Sequence, residues 1–254
     1  MRDQNKRLKT EGWVHFLGKL VFNNRKFFVN CGNIETSFLS ESLSGVTVDR
    51  PVYITGLARS GSTLLLEILA NHRKFAHHRY RDFPMIYTPY FWNFFIRTAA
   101  KSVQPPRERA HRDRIFVTAD SPEAMEEPLW ITFFPNCHSE EQSHVLDSGY
   151  ANVQFEKFYA AHIRKLLLYQ GHSRYLAKAN YNIVRIRYLL HLFPNAKFIV
   201  PIRSPISQTL SLIKQHKRVC QGQEQNPRAL THMQRVGHFE FGLDRKIINV
   251  GDYG

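Results

Sequence analysis

Two stretches of the 254-residue sequence combine residue types that bind anions. The first is Gly56-Leu-Ala-Arg-Ser-Gly61, followed by Ser62 and Thr63. Small residues let consecutive backbone N–H groups turn toward one point, and a helix starting there adds the partial positive charge of its N-terminus. Arg59 supplies a permanent cation, and Ser60, Ser62 and Thr63 supply hydroxyl donors. The pattern nearly matches the nucleotide P-loop, with Ser62 where that motif has lysine. The apolar run Phe198–Ile202 ends in Arg203 rather than in a magnesium-holding Asp, so a magnesium-dependent NTPase is disfavoured and no metal is expected. The second stretch is Arg203, with Ser211 eight residues later. If a helix opens near Pro205, Ser211 lies about two turns into it. The two stretches converge on one anion only if that helix packs beside the first loop. Lys178 closes Tyr175-Leu-Ala-Lys178 and adds a further cation at the end of a strand-like run.

These residues need a scaffold. Pro51–Thr55 is a short apolar run of the kind buried in a parallel sheet. Ser62–Asn71 reads as a helix with an apolar face at Leu65, Ile68 and Leu69. Phe155–Gln170 reads as an amphipathic helix on Phe155, Phe158, Ile163, Leu166 and Leu167, closed by Gly171. Then come a strand at Tyr175–Lys178, a helix at Ile183–Phe193 stopped by Pro194, and a buried strand at Lys197–Ile202. A helix follows from Pro205 to about Val219. The alternation predicts an α/β protein: a P-loop-like three-layer fold with a central parallel sheet flanked by helices. Ligands of such sheets bind at the carboxyl ends of strands, just where Arg59 and Arg203 stand.

Residues 1–50 read as a helical and loop preface, with helical spacing at Trp13, Phe16, Leu17 and Leu20 and a Gly/Asn/Ser-rich stretch from Asn30 to Gly45. Residues 51–254 read as the main α/β domain. Within it, Phe83–Phe95 is aromatic and broken by Pro84 and Pro89, while Lys101–Ser121 and Gln221–Arg228 read as polar surface loops. The chain closes on Ile247–Gly254 without a finishing helix, so a chain truncated at its C-terminus is expected. The alternative is that His232–Gly254 covers the bound anion with Arg235, Arg245 or Lys246.

Composition narrows the partners. Thirty-five Lys and Arg against 21 Asp and Glu give a formal charge of +14, and 43% of residues are hydrophobic. This is globular, with a basic balance that suits nucleic acid, an anionic membrane surface or a small polyanion. No apolar run approaches the roughly 18 residues of a membrane span. Cys31, Cys137 and Cys220 are too few and too scattered for a disulfide framework, which predicts a reducing, cytoplasmic setting.

Strand–Gly-x-x-Arg-Ser-Gly-Ser-Thr–helix, followed later by Phe-Pro-x-Ala-Lys-Phe-Ile-x-x-x-Arg-Ser-Pro and a Ser eight residues past the Arg, resembles the sulfotransferases that use 3′-phosphoadenosine 5′-phosphosulfate (PAPS). The matching motifs cover residues 51–71 and 175–219, and they are closer to the group with Arg-Ser-Gly-Thr-Thr than to enzymes with Lys at the Arg59 position and an aromatic residue at Leu64. Ser207 stands where the family often has Asp. The resemblance implies that Arg59, Ser60, Gly61, Ser62 and Thr63 hold the 5′-phosphosulfate and that Arg203 and Ser211 hold the 3′-phosphate. It implies transfer of a sulfuryl group to a hydroxyl or amine of a small-molecule or glycan acceptor, without a metal. Charge builds on the departing phosphate, where Arg59 and Lys178 are the expected cations. A general base must take the acceptor's proton. Family spacing from Arg59 leads to Asp82, with His77, His78 and the pair Glu126–Glu127 as alternatives. Two other readings stand beside this one: a degenerate P-loop kinase or NTPase, and a non-catalytic basic protein that binds nucleic acid through stretches such as His72–Arg81. No recognised nucleic-acid motif supports the latter.

Overall fold

The computed structural model describes residues 12–99, 106–108 and 116–251. Three helices lead: α1 (Gly12–Asn23), α2 (Arg25–Phe38) and α3 (Ser40–Ser44). β1 (Val52–Ile54), α4 (Ser62–Ala70), β2 (Phe75–Ala76) and α5 (Pro89–Ala99) follow. After the short strands β3 (Arg107–Glu108) and β4 (Phe116–Val117) come α6 (Glu127–Phe133) and α7 (Val153–Gln170). The last third holds β5 (Arg174–Lys178), α8 (Ile186–Leu192), β6 (Lys197–Ile199), α9 (Pro205–Gln225) and α10 (Pro227–Val236).

β2, β5, β1 and β6 form one parallel sheet in that order, while β3 and β4 pair separately and antiparallel. Alternation along the strands sorts the core into two layers. Val52, Ile54, Leu176 and Phe75 meet Leu66 of α4 on one face. Tyr53, Tyr175, Ala177 and Ala76 meet α6, α7 and α8 on the other, through Trp130, Tyr159, Leu166 and Tyr188. The result is the expected α/β arrangement of a parallel sheet between helices. Each large apolar side chain closed away in these layers is worth about 1.5–3 kcal/mol. Register sets Ile54 beside Lys178 and Ile199, so three strands end level and their loops share one edge.

Several local expectations change. Asn30–Gly45 is mostly helical, because α2 docks on α7: Lys165 of α7 meets Glu35 at 2.7 Å and donates to the Gly32 carbonyl at 2.9 Å, all out of solvent. Tertiary packing outweighs the weak helix preference of Gly, Asn and Ser. In α4 the buried line is Ser62 and Leu66, while Ile68 faces solvent. The strand expected over Lys197–Ile202 stops at Ile199 and is only half buried, because among the described residues β6 is an edge paired with β1 alone; Ile202 is 92% exposed. α9 continues through the expected loop to Gln225, anchored by buried Gln223, whose Oε1 accepts from the Leu243 backbone at 2.7 Å. Part of Lys101–Ser121 lies outside the described residues. Among the described residues no helix is long and apolar enough to cross a membrane.

Candidate functional site at the carboxyl edge of the sheet

The loop between β1 and α4 has the backbone of an anion cradle. Gly56 and Gly61 have φ of 127° and 101°, and Arg59 itself sits at φ 68°. Such angles are open to glycine and costly for other residues, so a left-handed Arg59 marks a loop whose shape is imposed by its surroundings. Gly61 caps α4, and Ser62 opens it, buried under the loop. The Ser60 hydroxyl is shielded from solvent and has no hydrogen-bond partner among the described residues. A buried hydroxyl without a partner is uncommon and fits a donor kept for a ligand.

The second stretch does pack beside the first. Arg59 Nε donates to Ser211 Oγ at 3.1 Å. Arg203 Nη1 donates to the Arg59 carbonyl at 3.1 Å. Gln208, one turn into α9, donates to the Ala58 carbonyl at 3.0 Å. Two segments some 150 residues apart in sequence are thereby held edge to edge, and Arg59, Ser60, Gly61, Ser62, Thr63, Arg203 and Ser211 fall in one place. Gln208 escaped the sequence reading because a single glutamine at that spacing has no motif around it.

Lys178 ends β5 on the same edge. It is buried and faces Glu123, His238 and Glu240 electrostatically. Burial raises the Glu123 carboxyl, but Lys178, His238 and the Tyr80 hydroxyl outweigh this and hold it below the usual range. Glu240 accepts from Asn180 Nδ2 at 2.8 Å and lies 3.4 Å from His238 Nδ1. Burial works against its charge, yet His238 and Lys178 hold the Glu240 carboxyl down at about 2. Burial lowers the His238 imidazole; the close contact with Glu240 and the charges of Glu240 and Glu123 outweigh it and raise it. Asn180 joins this group to the loop strand, because its carbonyl accepts from the Thr55 hydroxyl at 3.2 Å. Glu123, His238 and Glu240 were missed in sequence, since they come from two loops without periodicity.

The acidic and histidine positions expected from sequence lie deeper. Asp82 is 1% exposed. Its Oδ2 accepts from the Arg79 backbone at 2.9 Å and lies 3.1 Å from His78 Nδ1, while Oδ1 accepts from Asn93 at 2.8 Å. Burial raises this carboxyl, and the His78 and backbone hydrogen bonds outweigh it, leaving it lowered. His78 Nε2 continues to His162 Nε2 at 3.0 Å. His77 is buried too, and burial drops its imidazole to about 4. Glu126 is ringed by the hydroxyls of Tyr159 and Tyr175, and burial raises its carboxyl. Glu127 takes both arms of Arg185 at 2.7 and 2.9 Å and His138 at 2.7 Å. Glu127, Cys137 and His138 have donor atoms within 4.8 Å of one another. Arg185 already occupies the carboxylate, and burial pushes the Cys137 thiol up to about 12, which fits an ion-pair network rather than a metal centre. Arg235, one of the expected cover residues, instead donates to the His15 carbonyl of α1 at 3.0 Å, and Lys246 lies over the Phe239 ring.

A strand, a glycine loop with a left-handed Arg59, and a second Arg–Ser element bound to it stand together at the carboxyl edge of the parallel sheet, where open α/β sheets bind their ligands. The sulfotransferase family model matches residues 51–243, and the chain belongs to that family. Similar solved structures are the sulfotransferase STF9 from Mycobacterium avium and the sulfotransferase STF1 from Mycobacterium tuberculosis H37Rv. The first is 16% identical with a TM-score of 0.44, over 82% of this chain and 62% of that one. The second is 15% identical with a TM-score of 0.41, over 92% of this chain and 80% of that one. This chain thus spans less than two thirds of the M. avium protein's length. No curated protein matches the chain.

Proposed function

We propose that the chain transfers a sulfuryl group from PAPS to a hydroxyl or amine of a small-molecule or glycan acceptor. The observation that carries this reading is the convergence of Arg59 and Ser60 with Arg203 and Ser211 across two adjacent strand ends. The loop Arg59–Thr63 takes the 5′-phosphosulfate: Ser60 offers its unpartnered hydroxyl, and the N-terminus of α4 favours the negative charge. Arg203 and Ser211 take the 3′-phosphate, where a guanidinium can bind in two-pronged fashion. Arg59 and Lys178 stabilise charge arising on the departing phosphate. Asp82 in this reading holds the Tyr80–Asp82 turn and His78 in place, because both of its oxygens are occupied by protein groups. Membership of the sulfotransferase family supports the reaction type, and Ser62 in place of the P-loop lysine supports the same choice over ATP hydrolysis.

A thermal-shift panel tests it with 3′,5′-ADP (PAP, the donor's product), ATP with magnesium, and a short oligonucleotide. A ligand that binds only the folded state raises its stability, by about 2.7 kcal/mol at a hundred times its Kd. Selective stabilisation by PAP is expected; stabilisation by ATP with magnesium or by the oligonucleotide, and not by PAP, would reverse the assignment.

A further inference from the structure

We infer that His238 is the general base that takes the acceptor's proton, with Glu240 as its positioning residue. This rests on the sulfuryl-transfer reading above. Thr55 immediately precedes the anion loop, and its hydroxyl donates to the Asn180 carbonyl at 3.2 Å. The Asn180 side chain donates to Glu240 Oε1 at 2.8 Å, and Glu240 Oε2 lies 3.4 Å from His238 Nδ1. An unbroken run of contacts therefore leads from the end of β1 to the His238 imidazole. The imidazole borders a cavity that Ala124, Lys178, Asn180, Gly237 and Glu240 also line.

Access separates His238 from the other bases. Its side chain is 31% exposed, whereas Asp82 and His78 are shut away with their polar atoms bonded to protein. Glu123 lies outside the cavity's lining; one of its oxygens accepts from the Ala124 backbone at 2.7 Å and its charge is drawn to Lys178, which makes it a weak base. The groups that face His238 are Glu240 on its own loop, Glu123 before α6, Lys178 on β5 and His232 on α10. With Nδ1 turned to Glu240, Nε2 is the nitrogen left to receive a proton. A carboxylate behind an imidazole fixes its tautomer and strengthens it as a base.

The step balances within the reaction. As the acceptor oxygen forms its bond to sulfur, its proton passes to His238 Nε2. The bond from sulfur to the bridging oxygen breaks, and its electron pair leaves on the phosphate of PAP. His238 later returns the proton to solvent.

The test uses the whole chain and radiolabelled PAPS, with water as the acceptor and released sulfate as the readout. PAP affinity is measured by calorimetry on the same samples. The native rate is expected to rise with pH through the His238 titration and then level. His238→Gln should lower the rate by about 10²–10⁴-fold and abolish that rise, while PAP affinity stays native. Glu240→Gln should move the rise to lower pH, and an NMR titration of the His238 imidazole should move with it. Native rate and pH profile in His238→Gln with PAP binding retained would overturn the assignment of His238 alone. A native chain that fails to bind PAP would overturn the donor reading, and the base assignment with it.

Discussion

Two polar regions of this molecule are built to opposite rules. In the interior, charges are paired within the protein: Glu127 holds Arg185 and His138, Glu35 holds Lys165, and Asp82 holds His78 and a backbone N–H. At the carboxyl edge of the sheet, two groups have fewer protein partners. The Ser60 hydroxyl has no partner, and the described residues offer Arg203 a single backbone carbonyl. The interior shows what paired charges do, which is to fix α2 on α7 and α6 against the start of α8. The edge brings Ser60, Arg59, Arg203 and Ser211 together, the arrangement on which the proposed donor site rests. Charged residues of the same kinds thus differ in whether an opposite charge of the protein is paired with them.

The contrast breaks most visibly at Glu127. Glu127→Gln leaves the Arg185 guanidinium buried without its counter-charge, a change that typically costs about 3–5 kcal/mol. Urea unfolding should register that loss, while the fraction still folded binds PAP normally. A variant as stable as the native chain would mean that the buried pair is not structural.

The pH dependence sharpens the same point. Glu127 titrates near 4.5 when unfolded and at about 2 when folded, because Arg185 and His138 outweigh the desolvation that opposes its charge. A carboxyl lowered on folding contributes stability that is complete above its unfolded value and disappears as pH falls through the folded one. Native stability should therefore fall between about pH 4.5 and 2, and that slope should flatten in Glu127→Gln.

At the edge the effects should appear in binding and not in stability. Arg203→Ala is expected to weaken PAP by about 1.5–3 kcal/mol, the usual value of a hydrogen bond to a charged group. Its unfolding midpoint should stay within the roughly 0.5 kcal/mol of surface changes. Ser60→Ala should show the smallest effect, about 0.5–1.5 kcal/mol of PAP affinity with the fold untouched. A Ser60→Ala variant that loses stability instead would place that hydroxyl with the interior network.

Much of this was legible in the sequence because it depends on local order. The run Val52–Ile54, the glycines at 56 and 61 and the helix from Ser62 are adjacent, so the strand, loop and helix show in about twenty residues. Arg203 and Ser211 were readable for the same reason, although only the fold brings Ser211 to Arg59. Asp82 was placed by spacing alone, and spacing carries no information on burial: three donors reach it from the turn and from α5. The extent of α2 was hidden because its stability comes from the Glu35–Lys165 pair, 130 residues apart. The group of Glu123, Lys178, His238 and Glu240 was hidden likewise, since it forms where two loops cross the end of β5.

Calorimetric titration of PAP into the native chain is the most direct test of the central claim, that Arg59, Ser60, Arg203 and Ser211 form one donor site. One PAP per chain is expected, bound without magnesium, with affinity reduced about 10- to 150-fold in Arg203→Ala. Absence of binding by a folded native chain, or equal affinity in the native chain and Arg203→Ala, would contradict it.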